Sequence, residues 1–423
     1  MSKSKFSLSS HHPHFSSERI RDDVEKNRQR VKELGPGIIT GSAGDDPAGI
    51  ITYTAVGAST GFSLLWLMLI STPMLIAVQD MAARIATITG KSLPEVIKAF
   101  YSRKLSIIMV SCLAVTNIIT IGADLQGFAE ILSLLTGIKA VYYIIPITAL
   151  IAYLVMFHSY KKIKKILIGF AFVLSAYVIS AIMAKPDWGK VVVDTFVPSF
   201  SSSSAYLLAA LGLLGTTISP YLLFWQASEE KEEHKTVAQS KSVEWDTAIG
   251  MFYSNLIAFC IIVASAVMLF GTHGTINTIK DAALALKPLG SQNAYILFSI
   301  GIISAGLLAI PVLAGSTAYA VADSFGWREG LDNKISDAKG FYTIFFGALL
   351  VSNFIYLTPY SSVQILYYSQ ILNGILLPVL VGILLILNNN KKIVGDFKNP
   401  LFNNILGWLT LIISIVFAVW LFL

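Results

Sequence analysis

The chain reads as an all-α polytopic membrane protein, an inverted repeat of five plus five spans followed by an eleventh. Three observations predict this class. Of 423 residues, 55% are hydrophobic and only 13% charged, with mean hydropathy +0.68, whereas soluble domains carry about a quarter charged residues. Eleven apolar windows are long enough to cross a bilayer. Two of them, the first and the sixth, are each interrupted by a polar, glycine-rich run that ends in proline.

A helix rising 1.5 Å per residue needs about 20 apolar residues to cross roughly 30 Å of hydrocarbon. Such windows fall at 36–58, 63–89, 105–133, 141–158, 163–184, 203–228, 243–270, 293–324, 340–358, 364–388 and 404–422. Residues 1–35 form a polar tail with no apolar core ahead of the first span, so no cleavable signal peptide is expected. Its His11-His12-Pro13-His14 cluster lies on a segment read as flexible, which gives metal no defined geometry. Ser201 to Ser204 and 271–292 read as the longer external loops. The two interrupted spans are offset by five, and an odd offset turns the second copy upside down. The domain plan is therefore a tail at 1–35, a core at 36–388 with repeats 36–184 and 203–388, and an added span at 404–422.

Lys and Arg set the orientation. Placing the N-terminus in the cytoplasm puts 26 of the 31 Lys and Arg residues in inward segments and five in outward ones, as the positive-inside rule requires. An odd number of spans then leaves the C-terminus outside, and the expected location is the plasma (inner) membrane. The pI near 9.0 is thus a topological signature, with the lipid bilayer as partner and no nucleic acid. No obligate protein partner is evident. Cys112 and Cys260, the only cysteines, both lie in apolar spans, which rules out a disulfide framework or a thiol metal cluster. No GxxxxGK[ST] loop is present, which argues against an ATP-driven pump, and nothing suggests an enzyme.

Asp46-Pro47-Ala48-Gly49 interrupts the first span and Gly215-Thr216-Thr217-Ile218-Ser219-Pro220-Tyr221 the sixth. A charged residue at mid-membrane costs roughly 2.5–3.5 kcal/mol on insertion scales, so Asp46 marks a functional site by default. An unwound helix exposes carbonyl oxygens, and a carboxylate beside them supplies the charge that a divalent cation requires. The competing reading is that Asp46 only caps the second half-helix of its span. Asp45 diverges from Asp46 by about 100° on a helix and need not share its site.

Gly35-Pro36-Gly37 leading to Asp46-Pro47-Ala48-Gly49 resembles the first span of the NRAMP divalent-metal transporters, whose motif there is Asp-Pro-Gly-Asn. Collinear likenesses follow at Gln79 to Leu93, at Ala123-Asp124-Leu125-Gln126, and at Ser369-Gln370 with Leu377-Pro378. The resemblance implies a LeuT-like inverted-repeat fold and uptake of divalent metal cations of the Mn²⁺, Fe²⁺ or Mg²⁺ class into the cytoplasm, commonly coupled to protons. The metal is then the substrate, and no cofactor is expected. Carried over position by position, the resemblance implies metal ligands at Asp46 and at the Thr216 carbonyl. It places the family's asparagine on Gly49, its methionine on Ser219 and its histidine on Tyr221, all three changed. Gln370 matches an accessory glutamine, or else it only bonds a neighbouring helix.

Asp124 matches the family's proton-route aspartate, but the partner acid expected one turn later is Gly127, and the ninth span from Phe341 to Leu357 carries no arginine. Asp124 thus reads either as a proton acceptor or as a hydrogen-bonded helix contact. Glu130, Asp246 and Asp323 lie near span ends and read as solvated or loop-bonded. His158, His234 and His273 read as interfacial, and Trp66, Trp188, Trp225, Trp245, Trp408 and Trp420 as belt or lipid-facing residues. With sulfur lost at Ser219, the site reads as hard, and the small Ser219 and Gly49 leave volume for the water that Mg²⁺ retains. Met68 and Met74 are the alternative sulfur donors. Two rival classes share the fold: a symporter of a small organic solute such as an amino acid or amine, and a non-transporting sensor or channel.

Overall fold

The computed structural model describes residues 36–157, 169, 172–271, 276, 278–284 and 291–421, within one compact unit that begins at Pro36. The N-terminal tail with its histidine cluster, His158, His273 and the first part of the fifth span lie outside the described residues. Among those described the structure is helical, with no strand. Eight helical segments are long and apolar enough to cross a membrane: Leu65–Thr89, Arg103–Thr136, Ser204–Glu232, Ser240–Leu269, Phe298–Phe325, Lys339–Leu357, Ser362–Asn389 and Leu401–Trp420. The fourth span is the shorter helix Val141–Phe157, and the described part of the fifth covers Phe172–Met183.

Both expected interruptions are present. The first span is split into Pro36–Ala43 and Pro47–Thr60, the sixth into Ser204–Thr217 and Pro220–Glu232. The cause is local. Each second half begins with proline at its first position, where a missing N–H costs nothing but no preceding helix can continue through it. Asp46 and Ser219 precede these prolines with extended backbone, at ψ 168° and 130°. The first half of the first span closes on itself instead, with the Gly44 N–H donating to the carbonyls of Gly41 (3.0 Å) and Thr40 (3.2 Å).

Small residues bring the broken spans against their neighbours. A Cβ on Gly215 would lie 2.0 Å from the Gln370 carbonyl oxygen, and one on Gly374 would lie 2.5 Å from that of Leu211. The sixth and tenth spans therefore meet backbone to backbone, the close approach that glycine permits in membrane bundles. Trp225 fills the gap above the equally bare Gly315, where a Cβ would be 2.5 Å from its ring. It is 2% exposed and packs edge-on to Tyr319, and Trp66 is also buried. The belt reading fails for these two and fits the exposed Trp188, Trp245, Trp408 and Trp420.

Asp323 and Asp246 are not solvated either; both are buried. Lys231, at the end of the sixth span's second half, explains Asp323. Its ammonium lies 2.8 Å from Asp323, 2.8 Å from Glu95 and 2.6 Å from Glu329, tying the half-helix to the eighth span and to two connecting segments. One ammonium cannot balance three carboxylates. Burial and the adjacent Asp323 carboxylate push Glu329 up to about 10, so it holds a proton at neutral pH.

Lys231→Met leaves Asp323, whose side chain is 2% exposed, without its cation, and we expect a loss of about 3 kcal/mol or more, read as a lower thermal midpoint in detergent; an unchanged midpoint would show the cluster to be idle. The pH dependence has a definite sign. Because the folded-state value of Glu329 is raised from its ordinary 4.5, its contribution is fully present below that ordinary value and declines as pH rises toward 10. The midpoint should fall between pH 6 and pH 9, and Glu329→Gln should flatten that slope.

Candidate metal site

Two carboxylates from different spans hold one helix N-terminus. Asp46 is the N-cap of Pro47–Thr60, and its Oδ1 accepts the Gly49 N–H at 2.5 Å. Asp124, from the third span, accepts the Ala48 N–H on Oδ1 at 3.0 Å. Pro47 has no N–H to offer, so both N–H groups of the first turn that lack helical partners point at carboxylates. The half-helix dipole favours negative charge there. Asp46 is 1% exposed and Asp124 0%, and among the described residues neither forms an ion pair with Lys, Arg or His. Asp124 Oδ2 is buried with no hydrogen-bond partner. The arrangement brings two acidic side chains together in a dry place, and among the described residues no cation is paired with them.

The sixth-span break closes the other side. Tyr221, the first residue after Pro220, donates its hydroxyl to the Ala43 carbonyl at 2.7 Å and lies 3.4 Å from Asp46 Oδ2, joining the two breaks. Ser219 donates its hydroxyl to the carbonyls of Thr216 (2.7 Å) and Gly215 (3.0 Å), and so fixes the carbonyl that the family resemblance assigns to metal. Thr216 Oγ1 is buried with no partner. A Cβ on Gly49 would meet that oxygen at 2.8 Å, and Asp46 Oδ1 and the Gly44 carbonyl at 3.0 Å each. Asp46, Gly49, Thr216, Ser219, Tyr221 and Asp124 therefore belong to one constellation, whose donor atoms are all oxygen.

Two expectations need correcting. Gly49 leaves no spare volume for water, because Thr216 and Asp46 occupy the space its missing side chain vacates. The Gln370 side chain serves its own helix, with Oε1 accepting from Asn373 at 3.2 Å and Nε2 buried without a partner; only its backbone abuts the sixth span. Asp45, beside Asp46 in the unwound break, accepts from Ser254 of the seventh span at 3.1 Å. Of the alternative sulfur donors, Met68 lies 4.0 Å from the Thr217 hydroxyl, which also pairs with Tyr53 at 3.2 Å. Sequence reasoning missed Tyr53, Ser254 and the Ala43 carbonyl, none of which carries a motif. Among the described residues no three His, Cys, Asp or Glu side chains converge as a preformed metal cluster.

Two broken helices meeting around buried carboxylates in an all-α membrane bundle are the arrangement of discontinuous spans that secondary transporters use. Solved structures share this fold. A manganese transporter of Eremococcus coleocola, in complex with an aromatic bis-isothiourea substituted compound, superposes with TM-score 0.73 at 20% identity, over 96% of this chain and 87% of that one. Mhp1, a nucleobase-cation-symport-1 family transporter, gives 0.60 at 14% identity over 92% of each chain. MhsT in complex with L-phenylalanine gives 0.60 at 12% identity over 91% of this chain and 97% of that one. Residues 37–423 match the Nramp family, described as natural resistance-associated macrophage protein-like, and the chain belongs to it. It is an integral membrane protein.

Crowding at Gly49 is directly testable. Gly49→Ala should lose roughly 1–3 kcal/mol to overpacking, outweighing the ~1 kcal/mol that alanine gains in a helix. Removing the Thr216 oxygen in the double variant with Thr216→Ala should recover part of the loss. Additive midpoint shifts in a double-mutant cycle would show that the two residues do not touch.

Proposed function

We propose that this protein is a secondary transporter that moves divalent metal cations of the Mn²⁺, Fe²⁺ and Mg²⁺ class into the cytoplasm, holding the ion between its broken first and sixth spans. One observation carries the reading: Asp46 and Asp124 share a half-helix N-terminus, and among the described residues no cationic side chain pairs with either. A divalent cation supplies that charge. Family membership and the manganese transporter among the structural neighbours support the same class. Asp46, the Thr216 carbonyl and hydroxyl, and Asp124 Oδ2 are the proposed ligands, Gly49 and Tyr221 fix their spacing, and Ser219 orients the carbonyl. Gln370 has no direct part in this reading. The proposed plan retains repeats at 36–184 and 203–388 with an added span at 404–422, the N-terminus in the cytoplasm and the C-terminus outside.

An organic-solute symporter fits less well. Such proteins hold a substrate carboxylate against a half-helix N-terminus, and here Asp46 and Asp124 already occupy those N–H groups. The fold shared with Mhp1 and MhsT does not decide function, which lies in the site.

Coupling to protons is expected to be weak. At Gly127, where a partner acid would stand, a Cβ would contact Leu366 at 3.2 Å and Pro47 at 3.6 Å, which leaves an apolar slot. The ninth span from Phe341 to Leu357 has no arginine to complete a relay. Asp124 serves as helix cap and ligand in this account.

In proteoliposomes, Asp46→Asn should abolish Mn²⁺ uptake while inserting normally; near wild-type uptake by folded Asp46→Asn protein sinks the assignment. Internal pH should stay nearly constant during wild-type uptake, and stoichiometric acidification lost in Asp124→Asn would contradict weak coupling. Oxygen donors favour hard ions, and thioether sulfur favours soft ones. Ser219→Met should therefore shift competition toward Cd²⁺ and against Mg²⁺ by about tenfold, equivalent to ~1.4 kcal/mol.

A further inference from the structure

The second half of the sixth span carries a polar stripe that the site does not use. Ser219, Gln226 and Glu230 are spaced by seven and then four residues, so at 100° per residue they fall within about 20° of one line along the helix. At 1.5 Å per residue Gln226 lies about 10 Å and Glu230 about 16 Å beyond the break. The line runs from the proposed ion site to the end of the half-helix, on the face that the Lys and Arg count assigns to the cytoplasm.

These polar groups are deeply buried. Gln226 is 0% exposed, Glu230 1%, and Asp246, at the start of the seventh span, 4%. Gln226 donates its amide to Glu230 Oε1 at 2.8 Å and toward the Thr247 hydroxyl at 3.4 Å, so its donors are engaged. What remains is acceptors: Gln226 Oε1 and Glu230 Oε2 are both buried without a partner. Asp246 is near enough for its charge to act on Glu230. Among the described residues, Lys231 pairs with Glu95, Asp323 and Glu329, and Lys235, whose charge also reaches Glu230, pairs with Glu233 at 3.4 Å. The negative end of the half-helix dipole adds to the same field.

We propose that Gln226, Glu230 and Asp246 form a second, weaker divalent-cation site that receives the ion on its way from Asp46 to the cytoplasm. The inference rests on the metal-transport reading. Two carboxylates and an amide oxygen bind a hydrated divalent ion less tightly than the upper site, as a release station requires. The ion passes between oxygen donors about 16 Å apart along one helix face, and opening of that face exposes the lower donors first.

The test measures Mn²⁺ binding to the purified full-length protein by calorimetry and by Mn²⁺ electron paramagnetic resonance. Wild-type protein should show a tight and a weak class, Asp46→Asn only the weak one, and Glu230→Gln only the tight one. Uptake by Glu230→Gln should fall about fivefold in maximal rate with KM little changed. Gln226→Glu, which adds a carboxylate to the lower site, should tighten the weak class about tenfold and serves if Glu230→Gln fails to fold. Wild-type stoichiometry and uptake in Glu230→Gln, or a weak class unmoved by Gln226→Glu, overturns the second site and leaves Asp46 standing. Absence of Mn²⁺ binding in every protein, wild type included, overturns both.

Discussion

The shared capping of one half-helix by Asp46 and Asp124 is the interaction on which the rest depends. Pro47 forces the first span to restart at mid-membrane, and a restarting helix presents N–H groups that cannot be left unpaired in a dry interior. Asp46 takes the Gly49 N–H and Asp124 takes the Ala48 N–H. The break is stabilised, and a negative centre arises as a by-product of satisfying the backbone. The same atoms thus hold the fold together and give it affinity for a cation.

The neighbouring spans are arranged to keep that centre closed. Tyr221 joins the two breaks through the Ala43 carbonyl, and Gly215 and Gly374 let the sixth and tenth spans meet at backbone distance. About 18 Å from the break along the half-helix, Lys231 clamps its end to the eighth span. Motion of the half-helix Pro220–Glu232 would have to release both ends, Tyr221 at the site and Lys231 at the surface. Its buried polar stripe then becomes the face that opens.

Much of this plan was legible in the chain because its causes are local. A proline preceded by Asp or Ser inside an apolar window specifies a restart wherever it occurs, so Asp46-Pro47 and Ser219-Pro220 marked both breaks. What the sequence withheld was lateral position. Asp124 reaches a helix 76 residues away, and no spacing rule connects them. Asp323 and Trp225 lie near span ends, which suggested water, loop contacts or headgroups; distance along a helix says nothing of depth within the bundle, and both are buried, Asp323 against Lys231 and the connecting-segment Glu329. Gly49 misled for a related reason: a missing side chain implies space only until a neighbour such as Thr216 fills it.

A divalent ion is proposed to sit among the oxygen donors where the two helix breaks meet. Anomalous diffraction from crystals soaked in Mn²⁺ tests it most directly. The account predicts a peak within about 2.0–2.6 Å of an Asp46 carboxylate oxygen and the Thr216 carbonyl, with Asp124 Oδ2 facing it and no peak in Asp46→Asn crystals. A well-occupied Mn²⁺ peak elsewhere in the bundle, with the Asp46 and Asp124 carboxylates still engaged only with the Gly49 and Ala48 N–H groups, would contradict it.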